Sequence, residues 1–300
     1  MTAPRLISGA VTIYGCQNRI LSLRVAPLHS DVERGISCLP LSLLLLFVRW
    51  KPRKPALLSF CIAGREPPGE KEMCECAENK EQRLNETFER IGEENGFRAT
   101  AEFAAFTELK VKWVRTSDWA EFRVSDYLED APDEVIEDIA RTILGKILRD
   151  DGGYTERATT WLTAPEFSET HRPLYLERDE RAGGREGEHK SIEASLDRLE
   201  RMGLIERDAS IDVRWSKEEE RGNAARSSVL MRLIVVDRVL DSDDVPDSAL
   251  DLAVLKHLAL IRAGFLAEPM RRDREVEDAL CRYPGFDGTI EWMNNHNIPL

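Results

Sequence analysis

The sequence predicts an α+β protein, and three patterns carry that prediction. From Pro132 to Ile147 apolar residues recur at helical spacing (Val135, Ile136, Ile139, Ile143, Leu144, Ile147), behind a proline suited to a first helical turn. Between Leu109 and Val124 the alternation is that of strands, with Leu109, Val111 and Trp113 on one face and Thr116-Ser117-Asp118 as a turn. Leu250 to Phe265, LDLAVLKHLALIRAGF, is apolar on almost every side of a helical wheel, as in a helix enclosed by a core. Lys256 and His257 lie in its middle, where a core excludes an ammonium or an imidazolium unless the group is paired or functional.

The other elements follow in order. Glu78 to Asn95 places Leu84, Phe88 and Ile91 on one helical face, and Gly96 supplies a stop. Ala101 to Phe106, Leu109 to Arg115 and Trp119 to Val124 read as a hairpin with a third strand. Asp150-Asp151-Gly152-Gly153 ends the helix opened by Pro132. A short helix after Tyr154 is broken at Pro165, and Leu174-Tyr175-Leu176 follows as an extended piece. Arg181 to Glu188, with Gly183, Gly184 and Gly187, reads as a flexible loop; without a preceding strand or a Lys-Ser/Thr it is no phosphate-binding loop. Ile192 to Met202 is a helix, Ile211 to Trp215 a strand, and Val229 to Val236 an apolar strand suited to a sheet interior. The Asp241 to Asp244 cluster is placed to cap the helix that follows, and two short helices, Asp273 to Cys281 and Asp287 to His296, flank Tyr283-Pro284-Gly285.

Charge divides the 300 residues unevenly. Up to Glu72 there are 10 Lys+Arg against 5 Asp+Glu, and beyond it 32 against 50, a net −18 that repels phosphate backbones, so nucleic acid is not an expected partner. Residues 1–72 lack sustained periodicity and read as a leader preceding a start at Met73; residues 73–151 form an accessory helix, hairpin and amphipathic helix, and 152–300 a second domain. Leu39 to Val48 is the one strongly apolar run, about half the length a bilayer span requires, so no transmembrane segment is expected. Five of the six cysteines lie in the first 76 residues, and Cys74-Glu-Cys76 has no second Cys/His pair after it, so the expectation is reduced thiols in a cytoplasmic protein rather than a disulfide framework.

The order helix, strand Arg214-Trp215-Ser216, strand Ile234 to Leu240, apolar helix, then a charged helix ending in Tyr-Pro-Gly resembles the SprT-like zinc metallopeptidases over about Tyr154 to Leu300. The resemblance implies a zincin-like half, a small mixed sheet beside the helix that bears H-E-x-x-H in that family, with zinc as the family metal. In this register Lys256 stands at the first histidine, His257 at the glutamate, Leu260 at the second histidine and Arg272 at the third ligand, while Val236 to Leu240 resembles the segment that precedes the helix. None of the ligands or the general base is kept, and His257 alone is a metal candidate.

The expectation is therefore a degenerate homologue without catalytic residues or cofactor, its cleft kept for a peptide or protein, with Lys256 and Arg272 paired to Glu268, Asp273 or Glu275 in place of the metal. Two other readings stand beside it. One is an active metal-dependent hydrolase or peptidase using non-standard ligands. The other is a winged-helix-like regulatory module around 191–215, whose Glu193, Asp197, Glu200, Glu206 and Asp208 suit DNA poorly. No G-x-S-x-G elbow is present.

Overall fold

Leu84, Phe88 and Ile91 are fully covered because the helix carrying them, α1 (Glu70–Glu94), lays that stripe against a sheet. The computed structural model describes residues 7–12, 70–149, 153–220 and 222–300. Of the stretch read as a leader, one strand, β1 (Ile7–Thr12), and Glu70 to Glu72 at the start of α1 are described; Leu39 to Val48, Cys16, Cys38 and Cys61 lie outside the described residues. The sheet is completed by β2 (Arg98–Ala104), β3 (Lys110–Arg115) and β4 (Trp119–Ser125), in the order β1-β3-β4-β2. β3 and β4 form the expected hairpin about Thr116 to Asp118, whereas β2 runs parallel to β4. Alternation buries Ala99, Val111, Trp113, Ala120, Phe122 and Val124 on one face, with the Phe88 ring 5.0 Å from that of Phe122. Gly96 ends α1 with φ 69°, and a Cβ at Gly92 would lie 2.7 Å from the Phe97 carbonyl oxygen, so the α1 to β2 corner needs both glycines.

α2 (Asp133–Arg149) buries Val135, Ile136, Ile139, Ile143 and Leu144 in the same core. Its buried Asp138 takes both a bidentate Arg157 and the Thr155 hydroxyl, which locks the entry to α3 (Glu156–Thr163). α4 (Pro165–Arg178) starts at a first-turn proline and runs straight through the stretch expected to be extended at Leu174 to Leu176. Pro173 removes one donor from the helix, but side chains on both sides of it hold the backbone in place. Arg172 donates to the carbonyls of Met231 and Ser210, Tyr175 donates to Glu108 at 2.7 Å, and Arg178 pairs with Asp126. α3 and α4 bury Ala158, Leu162, Phe167 and Tyr175 in the first core, although the sequence groups them with the C-terminal half.

The second core lies around α5 (Ile192–Arg201), β5 (Asp212–Trp215), β6 (Ala225–Ser228), β7 (Leu233–Val236), α6 (Asp247–Ala263), α7 (Pro269–Cys281) and α8 (Phe286–Asn295). Its sheet, β5-β7-β6, is mixed: β5 is parallel to β7 and β6 antiparallel. The chain is thus α+β, with eight helices and two small mixed sheets among the described residues. Val229 to Val236 is not one strand. Val229 to Arg232 turn between β6 and β7, with Arg232 at φ 48° tied to Asp208 and Ser210. β6 went unread because Arg226-Ser227-Ser228 shows no apolar alternation. The segment after β7 is a 3₁₀ turn, Arg238–Leu240, whose Val239 N–H donates to the Asp237 carboxylate, rather than a continued strand.

Candidate functional site

α6 is apolar nearly all round because neighbours enclose it: α5 on one side, β6 and β7 beneath, α7 and α8 beyond. Gly264, at φ 89°, stops it. Its first turn is charged by Asp247, which binds Lys190 and Arg198, while no side chain caps it. The expected capping by the 241–244 cluster is replaced by a different job for Asp241. That carboxylate accepts the backbone N–H groups of Glu188, His189 and Lys190 at 2.8–2.9 Å and is paired with Arg238. The stretch from Arg181 to Glu188, expected to be flexible, is thereby built in. The Gly183 N–H donates to the Trp215 carbonyl, the Trp215 N–H to that of Gly184, and a Cβ at Gly187 would fall 2.2 Å from the Lys190 carbonyl oxygen.

The four positions singled out by the resemblance fall into three environments. Lys256 and Leu260, one turn apart, line a pocket of about 260 Å³ with Asp273, Val276, Glu277, Leu280, Cys281 and Phe286. His257 points to the sheet instead. It is 3% exposed, its Nδ1 lies 2.9 Å from Ser227 Oγ, and the ring also hydrogen-bonds the Ala225 backbone. Arg272 is buried on α7 outside the pocket lining, with Nη2 3.4 Å from Asp273 and Nε unpartnered. Of the pairings expected in place of the metal, Arg272 with Asp273 is present. Lys256 has no hydrogen bond or ion pair with any described residue, and burial alone lowers its pKa.

A zinc ion does not fit these residues. Leu260 has no donor atom, the Arg272 guanidinium has no lone pair to give, and the single imidazole is committed to Ser227 and Ala225. Among the described residues no group of three or more His, Cys, Asp or Glu side chains is placed to hold a metal ion.

Burial, and secondarily the Lys256 charge, push the His257 pKa down to about 3, so the ring is neutral in the folded protein. With the unfolded value near 6.5, the unfolded chain carries an extra proton between about pH 6.5 and pH 3. The stabilising contribution is complete above pH 6.5 and is lost as the pH falls through that window, about 2 kcal/mol of it by pH 5. Urea denaturation at pH 7 and pH 5 is expected to show that loss in the wild type and its absence in His257→Gln, whose amide can meet both hydrogen bonds. Parallel pH profiles for the two proteins contradict a buried neutral ring.

A second and larger cavity, about 790 Å³, lies beside β5. Its floor is Ile192 and Leu196 of α5, Ile205, Ile211, Val213 and Leu258, and the loop fastened by Asp241 forms one rim. Every basic rim side chain is engaged: Arg185 with Asp212, Lys190 with Asp247, Arg207 with Glu193, Asp197 and Glu200. Along β5 the Asp212 and Ser216 N–H groups donate toward the β7 side, to Arg232 and Val236, so Val213 and Trp215 face the other edge. Gly183 and Gly184 cover that edge at Trp215 and the chain then turns away, leaving the Val213 N–H and C=O on the groove without a partner among the described residues. Sequence reasoning missed this groove, although Gly183 and Gly187, both set where a side chain would collide, and the Asp241 cluster were its traces. β5 pairs in parallel with β7, whereas the wing of a winged helix is an antiparallel hairpin.

No helix among the described residues is long and apolar enough to cross a membrane. No protein-family model, no curated protein and no solved structure matches the chain.

Proposed function

We propose that the chain is a degenerate SprT-like metallopeptidase homologue, cytoplasmic and without peptidase activity, that binds an extended peptide or protein segment in the groove beside β5. The observation that carries this reading is the open Val213 edge set in a cavity of about 790 Å³ that has an apolar floor and a charged rim. Strand addition supplies main-chain hydrogen bonds from the sheet edge, and apolar pockets select alternate side chains of the incoming segment. The helix positions that bear zinc ligands in the SprT-like family hold no donor set here, which supports binding without hydrolysis.

A fluorescein-labelled peptide of alternating leucine and lysine tests it, since the exposed Glu186 and Glu206 at the rim carry no ion pair with any described residue and favour a cationic strand. Saturable anisotropy is expected, weakened at least tenfold by Leu196→Asp, about 1.4 kcal/mol or more, and similarly by N-methylation of alternate peptide residues. Equal binding of the methylated and unmethylated peptides would sink the strand-addition reading. Stoichiometric zinc in protein purified without added metal, with cleavage of casein, would replace it with the active hydrolase.

A further inference from the structure

Lys256 is an anomaly that the groove beside β5 does not absorb. It is half-buried on α6, it has no hydrogen bond or ion pair with any described residue, and it lines a small pocket between α6, α7 and α8. The other lining groups are of two kinds. Leu260, Val276, Leu280 and Phe286 make an apolar body, while Asp273, Glu277 and Cys281 lie along α7. Arg272 neighbours Asp273 at 3.4 Å, so part of that carboxylate's charge is already engaged outside the pocket. An ammonium kept in such surroundings loses hydration without a carboxylate of any described residue in ion-pair contact, which costs free energy that an anion bound directly on it would return. The Lys256 charge is also felt by the buried His257 ring behind it.

We propose that this pocket binds a small monocarboxylate with an apolar body, its carboxylate on Lys256 and its chain against Leu260, Val276, Leu280 and Phe286. Size limits the ligand. A volume of about 260 Å³ is below the roughly 300–1,000 Å³ of sites for drug-sized ligands. At about 30 Å³ per heavy atom, the liquid-volume share of a water, it takes a chain of some five to eight atoms. Asp273 and Glu277 set the charge limit. Two carboxylates along one wall repel a dianion or a phosphate, and a single carboxylate with no second polar end is the species that gains from Lys256 without meeting them. The proposal is independent of peptide docking, because the pocket and the groove share no lining residue.

Calorimetric titration of the full chain with hexanoate, 1-hexanol and hexylamine separates charge recognition from apolar filling. Hexanoate is expected to bind saturably, with 1-hexanol at least tenfold weaker and hexylamine without measurable heat. Lys256→Met keeps the length and apolar stem of the side chain, and is expected to weaken hexanoate at least tenfold while leaving 1-hexanol unchanged. Cys281 gives a second readout, since it lines the same pocket. Saturating hexanoate is expected to slow its alkylation by iodoacetamide at least threefold in the wild type and not in Lys256→Met, scored by peptide mass. Hexanoate and 1-hexanol binding alike, an unchanged hexanoate affinity in Lys256→Met, or no saturable binding each overturns the proposal.

Discussion

Asp251→Ala is expected to destabilise the protein by about 3–5 kcal/mol, the cost of breaking a buried ion pair from one side, or roughly 10 °C in Tm at this chain length. Asp251 is 1% exposed within α6. Its carboxylate takes a bidentate pair from Arg198 of α5 at 2.7 and 2.9 Å, the Ser195 hydroxyl at 2.5 Å and the Tyr283 hydroxyl at 3.1 Å. One side chain therefore joins α5, α6 and the turn before α8. Its hydrogen bond and charge hold the Arg198 guanidinium more firmly protonated than usual, whereas burial raises the Tyr283 pKa. Removing the carboxylate leaves a guanidinium and two hydroxyls without their acceptor, which is why the cost exceeds that of one hydrogen bond. Thermal melts of Asp251→Ala, Arg198→Ala and the double variant check this. The double variant is expected to be at least 1.5 kcal/mol more stable than additivity requires, and strict additivity contradicts a coupled pair.

Asp241→Ala is expected to cost about 2–4 kcal/mol, since three backbone N–H groups lose one acceptor and each unsatisfied donor costs about 1–3 kcal/mol unless it reaches water. The local consequence is larger than the global one. The backbone N–H groups of Glu188, His189 and Lys190 all donate to this one carboxylate, while the Lys190 and His189 side chains reach Asp247 and Asp243 only at the loop's end, so the rim of the β5 groove loosens when it is gone. Limited trypsin digestion is expected to cut at Arg185 or Lys190 at least tenfold faster in Asp241→Ala, with Asp241→Asn intermediate because its amide keeps one accepting oxygen. Burial alone would raise the Asp241 pKa, but the N–H donors and Arg238 hold it below the usual carboxylate range. Its contribution is accordingly present above about pH 4 and lost as the pH falls through the lowered value. Digestion rates equal to wild type would show that the loop is held by something else.

Much of the fold was legible because burial leaves a period in the sequence. α1, α2, α5 and the β3-β4 hairpin carry their apolar residues at spacings of a helix or a strand; α2, α5 and the hairpin formed where that spacing placed them, while α1 covers its expected stretch but starts eight residues earlier, at Glu70. β6 and the middle of α4 did not, for opposite reasons. Arg226 and Ser227 have no alternation to read, and their strand exists because β7 supplies the hydrogen bonds. Pro173 sends a breaker signal that Arg172, Tyr175 and Arg178 overrule through contacts 38 to 72 residues away in sequence. The site was half legible. Lys256 and His257 stood out as polar groups in an apolar helix, yet Asp251, a buried polar residue of the same helix, proved to be the one that ties the helices together.

The sequence by itself determined that the chain folds as α+β, that α6 is enclosed, and that Lys256, His257, Leu260 and Arg272 do not make a zinc donor set, since residue identity and periodicity settle all three. Only the tertiary structure decided that Lys256 and Leu260 share a pocket while His257, one residue along, turns to Ser227 and Ala225. Successive residues on a helix point about 100° apart, so neighbours in sequence meet different partners, and which partners those are depends on helices and strands brought in from far along the chain. The groove beside β5 has the same origin. Its floor, its open edge and its rim come from segments between Arg185 and Leu258 that no local pattern connects.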